Sequence, residues 1–242
     1  MSNANFPNID NQIKITSVST EYLPIISSSS PYTIFGYEAS AKFWDNDYSY
    51  STSDFFTQKI SLQLLQKYEI YLKLLQIKCR PLQAPLFVNI SKELLLNKKY
   101  MLFWNEFICK QDSVIPEMSW GDEDRAVFDF ISFLGNKNIH FAYDNKLCNN
   151  LSMFSESFIK SPIVKVAGNI LPKIKNDPSC LESLRSLSSF CKVNNKVLIL
   201  KGVESIEDVE IGRAAGVEYL QGYYYRDLGI RTEPFDLPEL AE

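Results

Sequence analysis

The sequence predicts an α/β fold built on a parallel sheet, and three observations predict it. Residues 196–225 read strand, helix, strand within about 25 residues, which is a βαβ unit with a right-handed crossover. Short apolar runs alternate with helical stretches across about 200 residues, the pattern of a parallel sheet, closed or open. Glu38, Asn89, Glu117, Asp144, Lys165, Lys201, Glu204 and Gln221 fall on or just after successive predicted strands, a regularity that a random scatter of polar residues lacks.

Each element has its own reason. Residues 1–20 are rich in Asn and Ser and read as a loose N-terminal arm, with Ile13-Lys14-Ile15 the one hint of a strand. Residues 21–26 (EYLPII) are the opening strand, 27–31 a polar turn, and 32–43 (YTIFGYEASAKF) the next strand. Residues 53–77 are helical: Phe56, Ile60, Leu64, Leu65, Tyr68, Tyr71, Leu72 and Leu75 recur at spacings of three and four and predict an apolar stripe. Pro81 and Pro85 mark its exit. Residues 86–90 form a strand, Ser91 caps a helix through Leu96, and 103–109 is apolar without a firm assignment. Residues 114–119 are a strand, and 122–134 a helix whose opening Asp122, Glu123 and Asp124 suit its dipole. Residues 139–144 form a strand in which the single histidine, His140, reads as structural. A helix over 149–159 and a strand over 163–166 follow, then a helix over 178–193.

Residues 197–200 carry no polar side chain, as a strand buried on both faces requires. Ser205 is an N-cap, Glu207 and Asp208 suit a first helical turn, and Val209, Ile211 and Ala214 give that helix a partly apolar face. Gly216 stops it, and 217–220 is the second strand, followed by Gln221-Gly222. The run Tyr223-Tyr224-Tyr225 reads as partial core packing, with a sticky aromatic surface as the alternative. Residues 231–242 read as a tail.

Composition bounds the function. At 242 residues and 45% apolar, the chain can bury a full core, and no Pro/Gly/Ser linker divides it. A net charge of −4 with interspersed signs argues against a nucleic-acid groove. Five cysteines, an odd number without a CxxC pair, argue against zinc or a disulfide framework and fit a reducing cytoplasm. No apolar run approaches the ~18 residues of a membrane span, and no basic region precedes an apolar core at the N-terminus. A cytoplasmic protein without membrane contact is expected.

Lys201-Gly202-Val203-Glu204, followed by Gln221-Gly222-Tyr223, resembles the end of an EAL domain, where active members read Glu-Gly-Val-Glu. Gly36-Tyr37-Glu38-Ala39 resembles the segment that names this family, with Ser40 in place of leucine. Val88-Asn89-Ile90-Ser91 resembles its Val-Asn-Leu-Ser. Glu117-Met118-Ser119 stands where the family has Glu-x-Thr-Glu, the last glutamate being Trp120, and Val164-Lys165-Val166-Ala167 stands for Leu-Lys-Ile-Asp. The resemblance covers residues 21–230. It implies a modified (β/α)8 TIM-type barrel with its chemistry at the C-terminal ends of the strands.

The resemblance also implies roles. EAL enzymes are cyclic di-GMP phosphodiesterases that use two divalent ions. Glu38, Asn89, Glu117 and Asp144 match metal ligands, Lys165 matches a water-positioning lysine, and Glu204 and Gln221 are retained. Glu38, Lys42 and Gln221 match ligand-contacting positions. The departures concern charge. The first aspartate of the family's pair is Tyr143, a phenol that is neutral near pH 7. Ala167 removes another carboxylate, and Lys201 exchanges a third for a cation. An ammonium ~4 Å from a divalent ion is repelled by about 8 kcal/mol at an effective dielectric of ~20, as an upper bound. Lys42 lacks the bidentate geometry of the family's arginine, and Gly168 stands for a second arginine. The glycine-rich loop after the aspartates has become Asn145-Lys146-Leu147-Cys148, and a proline near the guanine is missing from residues 225–228. Lys201 either stands as a counter-charge to Glu38, Glu117 and Asp144 or bends into solvent.

These departures imply a catalytically inactive EAL-domain regulatory protein that acts through a protein partner in a bacterial cyclic di-GMP pathway controlling motility, adhesion or biofilm. Two alternatives stay open: a cyclic di-GMP receptor without hydrolysis, and a weak phosphodiesterase. A second copy of the chain is a candidate partner, since EAL domains often dimerise. No cofactor is expected, magnesium or manganese entering only with residual hydrolysis.

Overall fold

Eight strands close on themselves, and a hairpin makes the closure. The computed structural model describes residues 16–45, 48–51, 61–81, 84–118, 125–145 and 156–236. β1 (Ser17–Ser27) and β2 (Ile34–Asp45) pair antiparallel from Ser17 opposite Trp44 to Ile26 opposite Ile34, and β3 (Tyr48–Ser51) extends the ribbon beside β2. From β2 a parallel series runs through β4 (Leu86–Asn89), β5 (Val114–Met118), β6 (Ala142–Asn145), β7 (Ile163–Val166), β8 (Val197–Leu200) and β9 (Tyr219–Gln221). β9 returns to β1 antiparallel, with Ile25 opposite Gln221, and the ring is shut. Seven parallel strands and one antiparallel strand form the modified (β/α)8 barrel that the family resemblance implies. Among the described residues no helix is long and apolar enough to cross a membrane.

The strands are short because each needs only two inward-facing residues. Side chains alternate across a strand, so residues two apart share a face. Phe87, Ile115, Ala142, Ile163 and Ile199 face inward and fill the lumen with Ile25. The residues between and beside them, among them Val88, Val164, Val166, Leu198 and Leu200, face outward into two larger clusters under the helices. Those helices are α1 (Leu62–Lys78), α2 (Lys92–Leu96), α3 (Lys98–Ile108), α4 (Arg125–Asn136), α5 (Glu156–Lys160), α6 (Ile170–Asn176), α7 (Leu181–Val193) and α8 (Ile206–Ala214). Ser205 caps α8 in a reciprocal capping box with Asp208.

Several expectations need correction. β1 begins at Ser17, inside the stretch read as an arm, because residues 17–20 continue the hairpin opposite residues 41–44. Ile13-Lys14-Ile15 and Trp120 lie outside the described residues. In the stretch read as a tail, β10 (Ile230–Arg231) and β11 (Phe235–Asp236) pair with the outer edge of β1 and cover backbone that β9 leaves free. His140 is exposed and precedes β6. Of the three tyrosines only Tyr225 is buried; Tyr223 is 65% exposed. α3 escaped assignment because its nearly continuous apolar run hides the period: Trp104 and Ile108 are buried, while Leu102 and Phe103 are exposed. α6 was not predicted. Its Pro172 lies in the first turn, where a missing N–H costs no helical bond.

The largest misreading concerns α1. Of its predicted stripe, Phe56 and Ile60 lie outside the described residues and Leu72 is buried, but Leu64, Leu65, Tyr68, Tyr71 and Leu75 are only half-buried, with Leu72, Tyr68, Tyr71 and Leu75 lying beside Val18, Ala41 and Phe43 of the hairpin. The buried face carries Gln66, Glu69, Lys73 and Gln76 beside Leu72 and Ile77. The Gln66 side-chain amide donates to the Glu93 carbonyl at 2.5 Å, and Tyr22 Oη donates to the Gln76 carbonyl at 2.8 Å. Glu69 accepts from both the N–H (2.9 Å) and the hydroxyl of Ser91, the N-cap of α2. Burial raises the Glu69 pKa against Lys73 and these bonds, and burial lowers that of Lys73 against Glu69. Glu69→Ala leaves the partly buried Ser91 N–H without its acceptor. Urea unfolding is expected to show a loss of about 1–3 kcal/mol.

Candidate functional site

The alternation that fills the lumen also builds the mouth. Two residues after each lumen residue comes a polar one on the same face: Phe87 then Asn89, Ile115 then Glu117, Ala142 then Asp144, Ile163 then Lys165. Ile199 is followed in the same way by Lys201, and Tyr219 by Gln221. Glu38 enters from the middle of β2, because β2 runs on beyond the barrel as part of the hairpin. A polar layer therefore lies on an apolar floor. In register, Asn89 faces Glu117, and Asp144 faces Lys165.

Charge organises this layer. Lys165, with no exposed surface, donates to Glu38 Oε2 and Glu117 Oε2, each at 2.5 Å, and its ammonium lies 5.2 Å from the centre of the Phe87 ring. Lys201 Nζ lies 3.0 Å from Asp144 Oδ2, 3.5 Å from Glu117 Oε1 and 3.9 Å from Glu38 Oε2. Asn89 Nδ2 donates to Glu38 Oε1 at 3.2 Å, and Gln221 Nε2 donates to Glu38 Oε2 at 2.9 Å. Burial would push the Glu38 carboxyl up, but Lys165, Lys201 and the Gln221 amide overcome it and hold it well below the ordinary range. At Glu117, burial and then the Glu38 charge push the carboxyl up to about 7 against both lysines. At Lys201, burial would lower the ammonium pKa, and the three carboxylates instead raise it above its usual value.

Not every residue that the sequence singles out joins the cluster. Glu204 is exposed; its backbone N–H, not its carboxylate, is engaged, donating to Asp208 Oδ2 at 2.9 Å. Lys42 stands four residues beyond Glu38 on the hairpin, opposite Ser19. Tyr143 faces outward, because the period of two puts it opposite to Ala142 and Asp144; its ring meets Phe158 edge-on at 6.5 Å. Ala167 follows β7 beside the loop that carries Lys201. Gly168 packs there so tightly that a Cβ would lie 2.5 Å from the Lys201 carbonyl and 2.8 Å from the Gly202 Cα, so an arginine cannot stand at this position without moving the loop. Gly202 has φ +71°, which suits glycine. Gln66, Glu69 and Lys73 behind the mouth were missed; buried polar residues at helical spacing were the available signal.

The donor set does not fit a divalent metal. Of the six oxygens of Glu38, Glu117 and Asp144, five already accept from Asn89, Gln221, Lys165 or Lys201. Asp144 Oδ1 alone is buried without a partner. Among the described residues no three His, Cys, Asp or Glu side chains are arranged to hold an ion. What the arrangement does is balance buried charge.

Two measurements check this geometry. Gly168→Ala is expected to lower stability by about 1–3 kcal/mol in urea, because the new methyl group meets backbone atoms. The second is pH dependence. Glu117 has a folded pKa raised above its unfolded value, so its favourable contribution is full below about 4.5 and is lost as pH rises through about 7. Melting temperature is expected to fall between about pH 5 and pH 7.5, and Glu117→Gln, which cannot titrate, is expected to flatten that slope.

No curated protein sequence matches the chain. Among solved structures it is similar to an EAL domain protein from Listeria monocytogenes EGD-e, with 19% identity and a TM-score of 0.66 over 90% of this chain and 88% of that one. It is also similar to the YkuI protein of Bacillus subtilis, which has an EAL domain and was solved in complex with substrate c-di-GMP and calcium: 19% identity, TM-score 0.69, 95% of this chain and 57% of that one. The FimX EAL domain from Pseudomonas aeruginosa bound to c-di-GMP matches with 19% identity and a TM-score of 0.69 over 90% of each chain. At these identities the likeness shows the fold. The EAL domain model matches residues 8–227, nearly the whole chain, and the chain therefore belongs to the EAL domain family.

Proposed function

We propose that this chain is a catalytically inactive EAL-domain protein that regulates a bacterial cyclic di-GMP pathway, such as one governing motility, adhesion or biofilm, by contact with a protein partner. One observation carries the reading: the Lys201 ammonium lies 3.0, 3.5 and 3.9 Å from the three buried carboxylates that would have to ligate catalytic ions. Hydrolysis by two metals needs those oxygens free to generate hydroxide and to neutralise the phosphodiester. Here lysines hold them. The vestigial site then comprises Glu38, Asn89, Glu117, Asp144, Lys165, Lys201 and Gln221, with Lys42 and Glu204 outside the cluster.

Purified protein is expected to form no linear dinucleotide from cyclic di-GMP with magnesium or manganese. Product above that of an Asn89→Ala control, measured by chromatography, would overturn the reading.

A receptor without hydrolysis is the second reading. It is favoured by the c-di-GMP complexes of YkuI and the FimX EAL domain and by the retained Gln221 beside Glu38. Against it stand Lys42 and Gly168, where two charged arginine contacts are missing, each worth about 1.5–3 kcal/mol. Calorimetric titration with cyclic di-GMP, with and without magnesium, is expected to show no submicromolar binding; submicromolar affinity would put the receptor reading first.

A further inference from the structure

At the barrel mouth, Glu38, Lys165, Glu117, Lys201 and Asp144 form one unbroken chain in which carboxylate and ammonium alternate. Successive closest approaches are 2.5, 2.5, 3.5 and 3.0 Å. Lys165 reaches two of the carboxylates, whereas Lys201 approaches all three within 4 Å. Lys165 is sealed beneath; the Lys201 side chain keeps 26% of its surface exposed and stands toward solvent. Its backbone is anchored: the Lys201 N–H donates to the Val166 carbonyl at 2.8 Å, and Gly168 presses on its carbonyl. A long side chain launched from a fixed point into three carboxylates is placed, not stray.

We propose that Lys201 is the resident cation of this barrel: its ammonium takes the position and the charge-balancing role of a divalent ion, so the fold is complete without metal and resists binding one. With all five groups ionised, three carboxylates against two ammoniums leave one negative charge. Replacing Lys201 by a neutral residue leaves two, and replacing it by glutamate leaves three. Buried like charges without a counter-ion oppose folding, and removing one partner of a buried ion pair is costly. A divalent ion that binds only the native state would then recover stability by mass action. The inference shares Lys201 with the proposed loss of hydrolysis but is read by stability and metal dependence. A protein that does not hydrolyse cyclic di-GMP yet melts higher in magnesium, by as much as its Lys201 variants do, would break this inference and leave the first reading standing.

The test is thermal unfolding at about pH 8, above the raised Glu117 pKa, of the parent, Lys201→Glu, Lys201→Met and Lys201→Arg, each in EDTA and in magnesium at matched ionic strength. The parent and Lys201→Arg are expected to melt at the same temperature in both. Lys201→Glu is expected to melt about 5 °C or more below the parent in EDTA and to regain part of that loss in magnesium. Lys201→Met, which keeps the length but not the charge, separates charge from packing and is expected to show a smaller loss with the same direction of recovery. If Lys201→Glu folds only with magnesium, the inference holds. If it folds in neither condition, Lys201→Met decides by the same comparison. Melting of Lys201→Glu within about a degree of the parent in both conditions would overturn it, as would a magnesium gain in the parent equal to that in the variants.

Discussion

A lysine with no exposed surface must find acceptors for its ammonium inside the fold, and Lys165 is the constraint on which this barrel depends. It reaches from β7 across the lumen to Glu38 on β2 and Glu117 on β5, each at 2.5 Å. Three separate parts of the ring are thereby tied through its centre. Such a pair contributes little net stability over an apolar filling, since desolvation offsets most of the attraction. What it imposes is register. A slip of one residue in β2, β5 or β7 would turn its charged group into the outer apolar clusters and strand the others. Phe87 beneath the ammonium completes the enclosure.

The second lysine builds on the first. Once Lys165 takes one oxygen each from Glu38 and Glu117, the other oxygen of Glu38 accepts from Asn89 and that of Glu117 from Lys201, while Gln221 shares Glu38 Oε2 with Lys165. Most oxygens of the mouth are thereby engaged, Asp144 Oδ1 and Gln221 Oε1 being the buried exceptions. Backbone geometry holds this state in place. The loops after β7 and β8 touch at Gly168 and Gly202, and the route by which a longer side chain might enter at 168 is filled by backbone. Tyr143 is directed outward by the pleat into contact with Phe158, so its phenol is removed from the mouth altogether.

The hairpin carries a different consequence. Because β1 and β2 extend past the ring, their outer halves need a partner, and the apolar side of α1 supplies it through Tyr68, Tyr71 and Leu75. That commitment turns the polar side of the same helix inward. Gln66 then donates to the Glu93 carbonyl of α2, the Gln76 backbone carbonyl accepts from the Tyr22 hydroxyl of β1, and Glu69 fixes the cap of α2 at Ser91, two residues after Asn89. The position of Asn89 at the mouth is thus supported from behind by a buried polar face, where an apolar stripe would be the ordinary arrangement.

Legible in the chain alone were the alternation of elements, the βαβ unit over residues 197–221 and most of the side chains that meet at the mouth. These are local properties. An uninterrupted apolar run, an N-cap with its acidic first turn, and a polar residue two places after an apolar one are all written within a few positions. Tertiary structure alone decided three things. It decided that the polar face of α1 is buried, because its apolar face was claimed by a hairpin nearby in space. It decided that Glu204 and Tyr143 leave the cluster that their motifs suggest, because strand pleat and loop direction, not motif membership, aim a side chain. And it decided the partners of Lys201, since Asp144, Glu117 and Glu38 lie 57, 84 and 163 residues away in the chain, and only a closed ring brings groups at such separations within 4 Å of one nitrogen.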